Sequence, residues 1–329
     1  MVLRMALTDR RAFIGMLGGV LPLAAIARQA ASNRVKRLGV IVGSEPSLLA
    51  AFDASLRQLG WVPGENVIVE LRKTRANTAD SATYAAELAR LNLDVVLVGS
   101  LPPAIEMRKA RPDQAMVIAT CPGLVSNGFA ATMDRPGGHS TGIDELPPGV
   151  TAKRMKLLKT AVPRLSRVAL VSTTPGRGGH ERQLADAAQI APELGISVKP
   201  YRATNLDELK TALAAIADDR MEALATFQGA VAILNREVII DFAAAHRLPA
   251  MYQATAFVES GGLMAWAPDL VEQYRDAARY VDQVLKGASP GDLPARYPSG
   301  YFLTINAGAA KALDLVLPPA LLAQADRVM

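Results

Sequence analysis

The sequence predicts an α/β protein: two doubly wound parallel-sheet lobes joined by a hinge. Three observations carry that expectation. Short β-rich runs alternate with amphipathic helical stretches, the pattern of a doubly wound parallel sheet. The β-rich runs are apolar throughout, which suits strands covered on both faces. The pattern also stops at a breaker-rich stretch, Arg135-Pro136-Gly137-Gly138-His139-Ser140-Thr141-Gly142, and then restarts, giving two halves of roughly 110 residues, a usual domain size.

The elements follow in order. Arg37 to Gly43 reads as the first strand. Ser47 to Leu59 carries apolar residues at Leu48, Leu49, Phe52, Leu56 and Leu59, a helical stripe closed by Gly60. Val67 to Leu71 is a strand, Ala79 to Leu91 a helix, Asp94 to Ser100 and Met116 to Thr120 two further strands. After the breaker stretch come a helix over 150–162, a strand over 167–172, and a helix over 179–194 closed by Gly195. Strands are expected over 196–201, 223–227, 249–252 and 263–267, with helices over 207–217, 231–246 and 270–285. The expected division is an export signal over 1–30, a first lobe over 34–144, a second over 145–265, and a returning segment over 266–329 that links and completes the lobes.

The amino-terminal stretch bears on location. Arg4, Arg10 and Arg11 form a basic start, and residues 12–27 follow without a charge. Small residues then offer cleavage after Ala27 or Ala30, the layout of a secretory signal. The sixteen-residue run contains Gly15, Gly18, Gly19 and Pro22 and falls short of the ~20 residues that span a bilayer. Arg10-Arg11-Ala12-Phe13-Ile14 also has the form of a twin-arginine signal, so both the twin-arginine and the general secretory route stay open. The expected location is the periplasm, and the remainder of the chain has no second run long enough to cross a membrane.

Composition narrows the function classes. The chain carries a formal net charge of +5, with its charges scattered and aromatics sparse, which gives nucleic-acid binding little support. Cys121 is the single cysteine, so no intrachain disulfide forms and the fold relies on packing. His139, His180 and His246 lie in separate segments without metal-ligand spacing, so neither a metal nor a cofactor is expected.

In open α/β sheets ligands bind outside the carboxyl ends of the strands. Two lobes with such edges facing one cleft nominate Ser44, Ser100 and Thr120 from the first lobe for polar contacts, and Thr173, Gln228 and Tyr252 from the second. Glu45 is either a solvated helix-start acid or a partner for a ligand ammonium. Phe227, Tyr252 and Trp266 are either core residues or aromatic walls of the cleft. Groups of this kind hold a small polar molecule without transforming it.

Catalytic motifs are weak. Thr174-Pro175-Gly176-Arg177-Gly178-Gly179 is a Gly-rich loop between strand and helix, yet Glu181 stands where a dinucleotide fingerprint needs glycine, and the P-loop Lys-Ser/Thr pair is missing. No Gly-x-Ser-x-Gly elbow is present. Cys121 at a strand end has no histidine near it in sequence, and His246 closes an apolar helix. No enzyme is expected.

A resemblance adds to this reading. Phe52-x-x-x-Leu56-x-x-Leu59-Gly60-Trp61-Val62-x-Gly64-x-Asn66-Val67, with Glu70 and Arg72, is similar to the opening of a substrate-binding-protein family of ABC transporters, some members of which are linked to aromatic amino acids. The similarity continues at Arg135-Pro136-Gly137-Gly138, Thr141-Gly142, Lys153-x-x-x-Leu157-Leu158-Lys159 and Phe257-Val258-Glu259-Ser260-Gly261-Gly262-Leu263-Met264. Tyr280-Val281-Asp282, Leu285-Lys286-Gly287-Ala288, Asp292-Leu293-Pro294, Ile305-Asn306 and Pro318-Pro319 extend it towards the end. The resemblance implies a type I periplasmic-binding fold with three crossover strands, a small ligand closed between the lobes, an inner-membrane ABC permease and its ATPase as partners, and no catalysis. The chain departs from the family pattern at His139, where asparagine is usual, at Cys121-Pro122-Gly123-Leu124 in place of an Asp-Pro-Val stretch, and at Trp266 in place of tyrosine.

The expected function is thus an extracytoplasmic solute-binding protein, acting as a monomer on an amino acid or organic acid. A sensory binding protein that presents its ligand to a receptor is the alternative, and an exported enzyme on a two-lobed scaffold is a more distant one.

Overall fold

The computed structural model describes residues 34–43, 45–74, 78–173, 178–227 and 229–329. The export signal and the positions Ser44 and Gln228 fall outside these, as does the stretch 174–177.

The first half builds a sheet in the order β2-β1-β3-β4-β5, parallel throughout. Its strands are β1 (Lys36–Val42), β2 (Val67–Lys73), β3 (Val95–Val98), β4 (Met116–Cys121) and β5 (Ser140–Asp144). The intervening helices are α1 (Pro46–Gln58), α2 (Thr78–Ala89) and α3 (Leu101–Ala110). β1 and β3 are buried on both faces, which is why they read as unbroken apolar runs.

The second half continues with α4 (Val150–Ala161), β6 (Arg167–Ser172), α5 (Gly178–Ile190), β7 (Ser197–Arg202), α6 (Leu206–Asp218) and β8 (Ala223–Thr226). Next come α7 (Ala230–Leu234), α8 (Arg236–Ala245), β9 (Ala250–Tyr252), α9 (Thr255–Glu259) and β10 (Met264–Pro268). α10 (Leu270–Leu285), β11 (Tyr301–Ile305), α11 (Ala307–Ala312), α12 (Pro319–Leu322) and β12 (Arg327–Val328) complete the chain. The second sheet runs β12-β11-β10-β9-β8-β6-β7, and only the β10–β11 pair is antiparallel.

Each sheet is covered on both faces. In the first, Phe52 and Leu56 of α1 pack with Tyr274, Ala277, Val281 and Leu285 of α10 on one side. Leu88 of α2 and Ala104 and Met107 of α3 cover the other. α10 therefore returns to the first sheet although it follows the second in sequence. Its inner stripe recurs at i, i+3, i+4 and i+7, and Asp269 caps its start by accepting from Val271 N at 2.8 Å and Glu272 N at 3.2 Å. After α10 the chain runs along β5: Asp144 N donates to Arg296 O at 2.8 Å and Arg296 N to Gly142 O at 3.1 Å. It then crosses to pair β11 with β10. The chain thus passes between the sheets three times, after β5, after β10 and before β11.

Several expected elements change. The single helix over 231–246 is two, broken at Asn235, which turns its Nδ2 back to Val231 O at 2.8 Å. The stretch 135–142 is only partly a turn, because Ser140 begins β5.

Candidate ligand-binding site

In each sheet the carboxyl ends of the parallel strands form one edge. The loop after β4 touches the first turn of α5, and the Tyr301 hydroxyl at the start of β11 donates to Glu145 O at 2.5 Å. On the first edge Glu45 is exposed and ends the loop before α1, accepting from Ser47 Oγ at 3.2 Å. Ser100 is exposed on extended backbone before α3, with its hydroxyl making no capping bond. Thr120 is half-buried and donates to Gly99 O at 2.8 Å, so its oxygen keeps acceptor capacity.

On the second edge Thr173 is buried, and its hydroxyl oxygen accepts from Ala232 N at 3.4 Å. Trp266 is half-buried with its ring 4.6 Å from that of Tyr301, tilted by 32°. Phe227 and Tyr252 are each 1% exposed. Phe227 packs among Met251, Leu263 and Leu303. Tyr252 stacks on Phe257, centroids 4.6 Å apart, and joins the core on the opposite face of the sheet. Alternation along β9 sends Met251 to one face and Tyr252 to the other.

Beneath the cleft lies a polar cluster that no sequence motif announces. Arg154, on the inner stripe of α4 between Val150 and Leu158, is 1% exposed. Its Nε donates to Trp266 O at 2.9 Å and its Nη2 to Gln253 O at 3.4 Å, tying α4 to the ends of β9 and β10. The charge of Glu145, at the first crossing, offsets its own, and burial brings its pKa down to about 10, still cationic at neutral pH. Burial pushes Glu145 up to about 7; the Arg154 charge opposes this and the Asp144 charge adds to it. The Gln273 amide favours the carboxylate from α10, although neither amide atom is aligned for a hydrogen bond. The amide nitrogen of Gln253 and the hydroxyl of Thr151 are likewise buried without a partner. Gln253 Oε1 accepts from the Thr226 hydroxyl. Buried polar groups are as a rule satisfied, so this gathering of unpaired atoms is an exception in an otherwise apolar core.

Asp144 has a framework role. Its carboxylate accepts from Gly123 N at 2.9 Å, Leu124 N at 3.0 Å and Leu146 N at 2.9 Å, fixing the loop after β4 to the end of β5. Burial raises its pKa, against the pull of those three N–H groups and of Arg182. Cys121 is fully buried, and burial with the charges of Asp144 and Glu145 pushes its thiol pKa well up, so it stays a neutral thiol. A separate cavity of about 460 Å³ lies at the amino-terminal ends of β4 and β5, among Arg108, Arg111, Phe129 and His139, away from the cleft.

A family profile described as ABC transporter substrate binding protein matches residues 40–329. The chain belongs to this family. A curated relative, the tyrosine-binding protein of Clostridioides difficile (strain R20291), is 20% identical over 288 residues, covering 86% of this chain and 82% of its own. A conserved domain protein of Vibrio cholerae O1 biovar El Tor has a similar structure, with a TM-score of 0.83 at 23% identity, over 90% of this chain and all of its own. A Streptococcus pneumoniae ABC domain in complex with L-Trp superposes with a TM-score of 0.82 at 21% identity, over 89% of this chain and 99% of its own. At these identities the solved structures establish the shared fold.

Membership makes the chain a solute-binding protein of an ABC transport system. Proteins of this family are extracytoplasmic and serve a small-molecule ligand and an ABC permease. Among the described residues no helix is long and apolar enough to cross a membrane.

Proposed function

We propose that this substrate-binding protein captures an amino acid, aromatic in preference, between the two strand edges and hands it unchanged to its permease. What supports this reading is the presence of unlike surfaces on the two strand edges: the rings of Trp266 and Tyr301 pack against each other on the second, and Ser100 and Glu45 are exposed on the first. Aromatic faces suit a planar side chain. The Ser100 hydroxyl and the amino-terminal end of α3 suit a carboxylate, and Glu45 suits an ammonium. Relatives that bind tyrosine and L-Trp are consistent with this class.

Thr120, Thr173, Ser44 and Gln228 are proposed as further polar contacts, while Phe227 and Tyr252 support the edge from within the core. The two lobes comprise 34–144 with 270–296, and 145–268 with 301–329. Export with cleavage near Ala27 or Ala30 brings a monomer to the permease, and no catalytic step is involved.

Calorimetry of the exported protein with L-tryptophan, L-tyrosine, L-leucine and benzoate tests the reading. Saturable binding of the aromatic amino acids, with the ligand recovered unchanged, is expected. Ser100→Ala should cost ~2–10-fold in affinity and Trp266→Ala about tenfold or more. Equal affinity of both variants and wild type would sink the site assignment, and recovery of a product would sink the transport role.

A further inference from the structure

Where the loop after β4 meets the start of α5, backbone lies on backbone. The first turn of α5, from the second lobe, rests against the loop Pro122–Ser126 of the first. A Cβ built on Gly179 would fall 2.6 Å from the Pro122 carbonyl carbon and nearer still to its oxygen. One on Gly178 would fall 2.7 Å from the Ser126 carbonyl carbon and 2.9 Å from Ser126 Cβ. One on Gly123 would meet Gly179 Cα at 3.0 Å. Real Cβ atoms do not come within 3.0 Å of backbone in this way, so the α5 side of the approach admits only glycine.

The first-lobe half of the contact is held rigid. Asp144 binds the N–H groups of Gly123 and Leu124, and Asn127 Nδ2 bonds Pro122 O at 3.0 Å and Gly123 O at 2.7 Å. Gly123 itself has φ +91°, a conformation that disfavours side chains for a local reason. Gly178 and Gly179 do not share that reason, because neither has a positive φ, and glycine in a helix's first turn lowers its stability relative to alanine. Their local backbone would take alanine; the opposing lobe would not. His180, the next residue, is fully buried, its Nδ1 3.1 Å from Ser172 Oγ, and burial holds its pKa down at about 4, so it brings no charge to the contact at neutral pH.

We propose that Gly178 and Gly179 are positioning residues that set how far the lobes close, and thereby how long a ligand is retained. The inference rests on the capture-by-closure reading. A side chain there props the two surfaces apart by about the width of a methyl group. The open protein is untouched, and the closed state loses contacts around any ligand, whatever its chemistry.

The first arm needs no ligand. The Ser126→Cys/Glu181→Cys double variant, which keeps both glycines and places the second thiol on the exposed face one helical turn from Gly178, should be joined within the chain by a short bis-maleimide, visible by mass spectrometry, while each single variant should not. A folded double variant that never cross-links would overturn the docking contact itself. The second arm measures dissociation of L-tryptophan or L-tyrosine by stopped flow for wild type, Gly179→Ala and, as a control on the exposed face of the same helix, Gln189→Ala. Gly179→Ala should release the ligand about tenfold faster or more, as expected for a forced overpacking, with the ligand-free melting temperature unchanged or slightly raised. Gln189→Ala should match wild type. An unchanged release rate in Gly179→Ala, or an equal fall in its ligand-free stability, would overturn the proposal. If the cross-link forms but neither amino acid binds, the docking contact stands and the ligand assignment falls.

Discussion

Replacing Glu145 by glutamine should make the protein relatively more stable as the pH rises. The carboxyl is 7% exposed, and burial lifts it from 4.5 to about 7 in the folded protein, more than the Arg154 charge pulls it back. A folded-state pKa above the unfolded value means that the native protein holds the proton more tightly. The group's contribution is then fully favourable below pH 4.5 and is lost as the pH climbs towards 7. The total is about 3 kcal/mol, most of which falls between pH 5 and pH 8. Glutamine is nearly isosteric and never ionises, so the variant lacks this loss. Urea unfolding of both proteins at pH 5, 6, 7 and 8 gives the difference directly, and subtraction removes groups common to both. His180 makes subtraction necessary: its pKa falls from 6.5 to about 4, so it adds an opposite slope over nearly the same window. The expected outcome is a wild-type-minus-variant stability that declines by roughly 2–3 kcal/mol from pH 5 to pH 8. A flat difference, or one that rises with pH, would show that the Arg154 pairing outweighs burial and that the carboxylate is ionised at low cost.

Three further outcomes are expected. His180→Gln should abolish an acid-side loss of up to ~3 kcal/mol between pH 6.5 and 4, because a histidine held neutral in the folded state favours folding only above its folded pKa; the fluorescence-monitored unfolding midpoint at pH 4.5 and 7 reads this out. Arg154→Met should cost ~3–5 kcal/mol at pH 8, since it leaves Glu145 charged and the carbonyls of Trp266 and Gln253 without their donor, and the penalty should shrink at pH 5, where Glu145 is protonated. Gly99→Ala should cost ~1–3 kcal/mol in thermal or chemical melts, because its Cβ would lie 2.5 Å from Tyr274 Oη and 3.2 Å from Val42 Cα.

The fold was legible where hydrophobic period and length agreed. The helix over 270–285 matches α10 to the residue, because its buried positions recur on one stripe between a clear cap and Lys286. β1, β6 and β8 stood out as apolar runs for the same reason. α3 is absent from the expected elements; Pro102 and Pro103 occupy its first turn, where proline is tolerated, and leave it without an ordinary helical signature at its start. β5 was missed because its five residues follow Pro136-Gly137-Gly138 and are held by partners distant in sequence, Arg296 among them. At the site, strand-end position alone nominated Ser100, Glu45, Thr120 and Trp266, and these lie on the edges exposed or half-buried. The same rule does not distinguish an edge residue that faces inward, which is where Phe227 and Tyr252 lie. Arg154 and Glu145 escaped notice because their partners sit about a hundred residues away or on another crossing. The available signal was a cation at the i+4 position after Val150 on the apolar stripe of α4.

The position of that charged pair follows from what a two-lobed binder must do. A buried ion pair loses several kcal/mol if its partners separate, so it cannot straddle surfaces that part on opening. Glu145 sits on the first crossing and Arg154 one turn into the helix that follows, with the β10 crossing and Tyr301 of β11 against them. Near a hinge, distances change least as the lobes swing. Next to it, the Pro122–Ser126 loop and the start of α5 meet through glycine backbone, with the Asp144 carboxylate held behind the loop by the N–H groups of Gly123 and Leu124. The buried charge thus gathers beside the crossings, where the swing of the lobes changes distances least.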